Sequence, residues 1–160
     1  MRVESTLWLF PALVTLHNVE ESIWLPSWMQ RTRSWRTPIA APVFRSGAIV
    51  LTAAAFFLAW MSIRSGRQSV WMYLLFGSMI AMIGNALVPH LALSLARRES
   101  MPGLATGLFN LLVLPVLAGE LLRAHWVSGT KAILAGICVP ILLLVTMAAI
   151  YRLGRAAPTP

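Results

Sequence analysis

The chain has 160 residues, of which 58% are hydrophobic and 11% charged, and its 13 lysines and arginines outweigh 5 acids to give a net charge of +8. A soluble domain carries about a quarter charged residues, so this balance excludes an ordinary water-soluble fold and predicts an integral membrane protein. The basic residues fall in short clusters between apolar runs, which excludes nucleic acid as a partner and suits loops that meet anionic lipid.

A helix needs about 20 mostly apolar residues to cross the hydrocarbon layer. Five runs qualify: Leu7 to Trp28, Ser46 to Ile63, Val70 to Ala96, Gly103 to Leu122 and Ala132 to Tyr151. The predicted fold class is therefore all-α, a polytopic membrane bundle of about five transmembrane helices. It forms one domain over residues 1–154, with a disordered tail at 155–160. Met1-Arg2-Val3-Glu4-Ser5 resembles the start of a secretory signal. The following run is interrupted by Glu20-Glu21 and lacks a small-residue cleavage site, so it is read as the first span.

The connections carry the breakers and charges: Arg31, Arg33, Trp35, Arg36 and Pro38 in the first, and Arg64-Ser65-Gly66-Arg67 in the second. Arg97 to Pro102 form the third and His125 to Lys131 the fourth. The first loop, rich in Trp, Pro and Arg, is expected to lie along the interface. Arg31, Arg33, Arg36, Arg45, Arg97, Arg98, Arg152 and Arg155 fall on one face, against Arg2, Arg64, Arg67, Arg123 and Lys131 on the other. This bias puts the N-terminus outside and the C-terminus in the cytoplasm, with a bacterial cytoplasmic membrane as the expected location. Cys138, the single cysteine, is expected to pack among its apolar neighbours, and Met72, Met79 and Met82 to fill the core.

The informative stretch is Leu16-His17-Asn18-Val19-Glu20-Glu21-Ser22 in the first span. Ionisable groups at membrane depth cost several kcal/mol unless they face a protein interior or a watery cavity, so they mark function. At 100° per residue His17, Glu20, Glu21 and Trp24 share an arc of about 100° and address one neighbour. Two buried carboxylates this close imply a shared proton or a cation between them. The structural alternative is a His17 to Glu21 pair one turn apart, with Glu20 protonated and merely bonded.

With a rise of about 1.5 Å per residue, Asn85 and His90 in the third span, Asn110 in the fourth and Arg45 at the start of the second reach a comparable level. Asn85 and His90 are separated by about 140° on a regular helix, so one of them, His90 by preference, belongs to the site unless Pro89 widens the turn between them. Gly103 and Gly107 make a G-x-x-x-G spacing for close packing. Thr106 and Asn110 add a polar stripe that faces the cavity or joins two helices. Glu120 and Arg123 lie at the opposite end as an i, i+3 pair with His125 nearby.

His17-Asn18-Val19-Glu20-Glu21, Asn85, His90 and Pro102-Gly103 together resemble the HXXEE-domain family of small integral membrane proteins. The resemblance covers nearly the whole chain and implies that these polar residues form the working site, without supplying a reaction.

Three functions compete. In the first, His17, Glu20, Glu21 and His90 bind a divalent metal, zinc or iron, in an enzyme for lipid-borne or apolar small-molecule substrates. His17, Glu20 and Glu21 then carry catalysis, while Trp24, Asn85, Asn110 and Arg45 bind substrate. The second is a metal-free isomerase or cyclase of sterol-like or isoprenoid molecules, in which a protonated Glu donates to an alkene. The third is a proton-coupled transporter, weakened by an odd number of spans and the lack of matching broken helices. A homo-oligomer is compatible with each.

Overall fold

The structure, a computed structural model, describes residues 3–32 and 39–156, and within them every regular element is helical. A short α1 (Val3–Thr6) leads into α2 (Leu9–Thr32), followed by α3 (Ala41–Ser65) and α4 (Val70–Asn85). A π-helical segment, Ala86–Leu91, joins α4 to α5 (Ala92–Arg97); α6 (Leu104–Arg123) and α7 (Gly129–Ala156) complete the chain. Arg33, Trp35, Arg36 and Pro38, in the loop expected along the interface, lie outside the described residues. The expected tail is helical as far as Ala156, and residues 157–160 also lie outside the described part.

Local chemistry accounts for the helix ends. Pro42 occupies the first turn of α3, where its missing N–H costs nothing, and α3 stops at Gly66, whose positive φ of 75° suits glycine. Ser69 caps α4 by accepting a hydrogen bond from the Met72 N–H at 3.2 Å. Four stretches are long and apolar enough to cross a membrane: α3, the Val70–Arg97 rod, α6 and Gly129–Ile150 of α7. The 24-residue α2 matches them in length and falls short in composition, because it carries His17, Glu20 and Glu21.

The α4 rod packs against α3, α6 and α7, while α2 packs against α3 and α6. Two apolar clusters result. The larger joins Leu13 and Val14 of α2, Met72, Leu75 and Met79 of α4, and Leu114, Leu117 and Leu121 of α6. The smaller gathers Leu25, Trp28 and Met29 of α2 with Phe44 and Met101. His17, Asn18, Glu20 and Glu21 of α2 sit in sequence between these two contributions, so the ionisable layer lies between two apolar clusters along the helix.

Outward-facing positions are apolar too, among them Leu112, Val116, Ile133, Leu144 and Val145, as a lipid-contacting exterior requires. Met72 and Met79 are fully buried and Met82 packs beside them, as fillers do. Cys138 departs from expectation: it is exposed on the outer face of α7 and does not pack inside. A sharper packing device is Gly77, where a Cβ would stand 2.5 Å from the Ala135 carbonyl oxygen and 2.6 Å from Val139 Cβ. α4 and α7 approach as closely as they do because no side chain intervenes.

Candidate metal centre

The His17 and Glu21 side chains, one turn apart on α2, point the same way, and the third span delivers both of its polar residues to them. Asn85 ends α4 and His90 lies in the π-helical segment, where Val88 leaves helical geometry (φ −136°, ψ 113°). The kink at Val88 takes the segment out of regular α-helical register, so two residues that would stand about 140° apart on an α-helix come to face the same side. The choice between Asn85 and His90 therefore dissolves.

His17 Nε2 is 3.7 Å from Glu21 Oε2, and His90 Nε2 is 3.2 Å from Glu21 Oε1. The Asn85 amide nitrogen lies 3.0 Å from His17 Nε2 and 3.3 Å from His90 Nε2. The two imidazoles meet edge to face, their centroids 4.8 Å apart. One ligand atom from each of His17, Glu21 and His90 falls within 4.8 Å of the others. Atoms bound to a single ion at about 2.1 Å stand roughly 3.0–3.4 Å from one another; the His90–Glu21 spacing of 3.2 Å already matches, while ligand atoms as far apart as 4.8 Å must draw together by more than an ångström. Both imidazoles are buried, and the Glu21 side chain is 13% exposed.

The hydrogen bonding around His90 Nε2 is over-subscribed. A proton on that nitrogen serves Glu21 Oε1 and opposes the Asn85 N–H; a lone pair serves Asn85 and opposes the carboxylate. A cation at the convergence point would satisfy both nitrogen lone pairs and the carboxylate together. The donor set thus fits a metal ion on its own chemistry.

Glu20 does not join this group. Its Oε1 accepts from the Gly103 N–H at 2.9 Å, and its Oε2 accepts from the Thr106 N–H at 2.9 Å and the Thr106 hydroxyl at 2.5 Å. The first turn of α6 lacks a side-chain cap from its own N-terminal residue, and the α2 carboxylate supplies one from outside. Expected among the ligands, Glu20 stands outside the converging group, with both of its oxygens engaged by donors of another helix. Thr106 Oγ1 also lies 3.0 Å from His17 Nδ1.

Gly103 permits the close approach. Its φ is 90°, and a Cβ there would clash with His90 Cε1 and lie 3.1 Å from Glu21 Cγ. Gly107, its partner in the G-x-x-x-G spacing, stands over Ala86, where an added Cβ would make an ordinary 3.5 Å contact.

The other expected site residues divide. Asn110 is fully buried, and neither its amide oxygen nor its nitrogen has a hydrogen-bond partner among the described residues. Trp24 is 55% exposed and lines a pocket of about 280 Å³ with Glu20, Trp28, Arg31 and Pro102. Arg45 lies away from the imidazoles: its Nε donates to the Ser22 carbonyl at 3.2 Å, beside a groove of about 600 Å³ between α2 and α3. Glu120 and Arg123 pair at 3.1 Å, and His125 sits exposed in the turn after α6.

Some supporting groups escaped the sequence reading. Asn18 donates to the Ala48 carbonyl at 3.1 Å and to the Thr52 hydroxyl at 2.8 Å, tying α2 to α3; its only sequence signal was an amide in an apolar run. Glu99 accepts from Trp28 Nε1 at 3.1 Å and faces Arg31 at 3.6 Å, holding the α5–α6 turn against α2.

A bundle with an apolar exterior, enough long apolar helices to span a bilayer, and a buried His/Glu centre defines an integral membrane protein with a polar heart. The chain belongs to the family described as "Protein of unknown function with HXXEE motif", whose model matches residues 8–118 and so includes every residue of the centre. It is also similar to "Uncharacterized protein YrkK" of Bacillus subtilis (strain 168), at 28% identity over 142 residues that cover 88% of this chain and 90% of the relative. No solved structure matches it.

Proposed function

We propose that the chain is a membrane-embedded, metal-dependent enzyme that acts on an apolar or lipid-borne substrate. The observation that carries this reading is the convergence of His17 Nε2, His90 Nε2 and the Glu21 carboxylate inside the bundle. Two imidazoles and one carboxylate are the ligand set of catalytic zinc sites and of nonhaem iron sites, both of which leave positions for water or substrate. A closed structural site uses its full complement of protein ligands.

Bound zinc would supply an activated water, and bound iron would supply oxidation chemistry. The protein's own part is to hold two neutral nitrogens and one carboxylate oxygen in place, exclude bulk water with the apolar clusters on either side, and offer the second Glu21 oxygen as a proton carrier. The pocket against Glu20, lined by Trp24, Trp28 and Arg31, supports an approach from the end of α2 that carries the first loop. Arg31, Arg45, Arg97 and Arg98 lie at that end, which supports a cytoplasmic placement for it, with the N-terminus outside.

Metal analysis of detergent-purified protein tests the reading. Native protein should carry near-stoichiometric zinc or iron, and His17→Ala, Glu21→Gln and His90→Ala should each lower occupancy. Comparison of total lipids from producing and deleted cells should then show the substrate accumulating on deletion. A metal-free protein that nevertheless alters the lipid profile would replace this reading with the acid–base isomerase.

A further inference from the structure

Glu20, Thr106 and His17 form a chain of contacts across two helices: carboxylate to hydroxyl at 2.5 Å, hydroxyl to His17 Nδ1 at 3.0 Å. The direction of each bond follows from the donor inventory. Glu20 already accepts two backbone N–H groups from α6, one on each oxygen, and as a carboxylate it has nothing to donate. The single Thr106 hydroxyl proton therefore goes to Glu20, which leaves the Thr106 oxygen as an acceptor. His17 must bring the proton, so Nδ1 carries hydrogen and Nε2 carries the lone pair. That Nε2 is the nitrogen facing Glu21, His90 and Asn85.

We propose that Glu20 and Thr106 are positioning residues that lock His17 in the Nδ1–H tautomer and aim its Nε2 lone pair at the point where His90 and Glu21 converge. The proposal rests on the metal reading for its purpose, though the tautomer can be observed without any metal. Imidazole ligands usually give their second ring N–H to a carboxylate or carbonyl, which sets both orientation and basicity. Here a hydroxyl is interposed, and the carboxylate behind it is fixed by the N-terminus of α6. His90 offers a contrast, since its Nδ1 is buried without a partner among the described residues. Both imidazoles have polar contacts at Nε2, but at Nδ1 His17 is held by Thr106 while the His90 ring lies against Gly103.

The informative substitutions are Thr106→Val, which keeps the branched shape and removes the hydroxyl, and Thr106→Ser, which keeps the hydroxyl. NMR of metal-free, full-length protein with isotopically labelled histidine, assigned with His17→Gln, reports the tautomer. Wild type and Thr106→Ser should show His17 as Nδ1–H, and Thr106→Val should populate Nε2–H. Titration with cobalt(II) should give a ten- to a hundredfold weaker affinity for Thr106→Val, the usual cost of losing such a partner, and restoration to within about twofold in Thr106→Ser. A purely structural threonine would leave the tautomer unchanged in Thr106→Val. Wild-type His17 found as Nε2–H, or Thr106→Val unchanged in both tautomer and cobalt affinity, overturns the proposal. The expected tautomers in a protein that takes up no metal would sustain the lock and sink the metal reading instead. Should Thr106→Val not fold, the wild-type tautomer alone decides.

Discussion

At the scale of single residues, the centre is built as much by what is absent as by what is present. Gly103 starts α6 in a left-handed conformation and lies against His90 and Glu21 with no room for a methyl group. Gly103→Ala adds about 1–2 kcal/mol of backbone strain and a sub-van der Waals contact with the His90 ring. Under the metal reading, the expected outcome is a protein that inserts and keeps its helical content but loses most of its metal, with a lowered melting temperature in detergent. Unchanged metal content would show that α6 can retreat without cost. Glu20 illustrates what sequence could not reveal. Its charge and its place on the His17 face were legible, but its true partners are mainly backbone N–H groups more than 80 positions away. Every residue but proline owns such a donor, so nothing in the letters marks which ones will be free.

At the scale of helices, the spans were legible because a run of about 20 apolar residues between charged turns has few alternatives in a membrane. Four of the five expected runs qualify by length and composition, and the fifth is the one diluted by the motif. The break in the third span was only half legible: Pro89 marked a disturbance, while the inward turn of both Asn85 and His90 depends on the kink at Val88, which no letter announces. The α4–α7 contact was not foreseen, because Gly77 sits in a long apolar run and gives no hint of which helix approaches it. Gly77→Val forces an isopropyl group into the Ala135 carbonyl and Val139, and should destabilise the bundle by about 1–3 kcal/mol, read as a lower unfolding temperature. Since α7 supplies none of His17, Glu21 and His90, metal occupancy of the folded fraction should, under the metal reading, stay near the wild-type value.

At the scale of the whole molecule, direction in the membrane is the open quantity. Ser65 lies exposed at the α3–α4 turn and Ser100 at the α5–α6 turn, at opposite ends of the rod that joins them. In a Cys138→Ser background, an impermeant thiol reagent applied to intact cells should label Ser65→Cys and spare Ser100→Cys, if the arginine-rich end faces the cytoplasm. The opposite pattern would invert the bundle and place the approach to Glu20 outside the cell.

The Asn85 amide, lying between the two imidazoles, carries a consequence for how such a protein is made. Without a cation, its hydrogens give the inward nitrogens a neutral partner, so the lone pairs need not be buried unanswered while the helices assemble, although the one on His90 still faces the Glu21 carboxylate. Under the metal reading, loading becomes the last event in biogenesis. On that reading a finished bundle would exchange an amide's hydrogens for an ion by turning one side chain about its own bond, and depletion of metal in the cell would leave behind an intact protein able to take up the ion again.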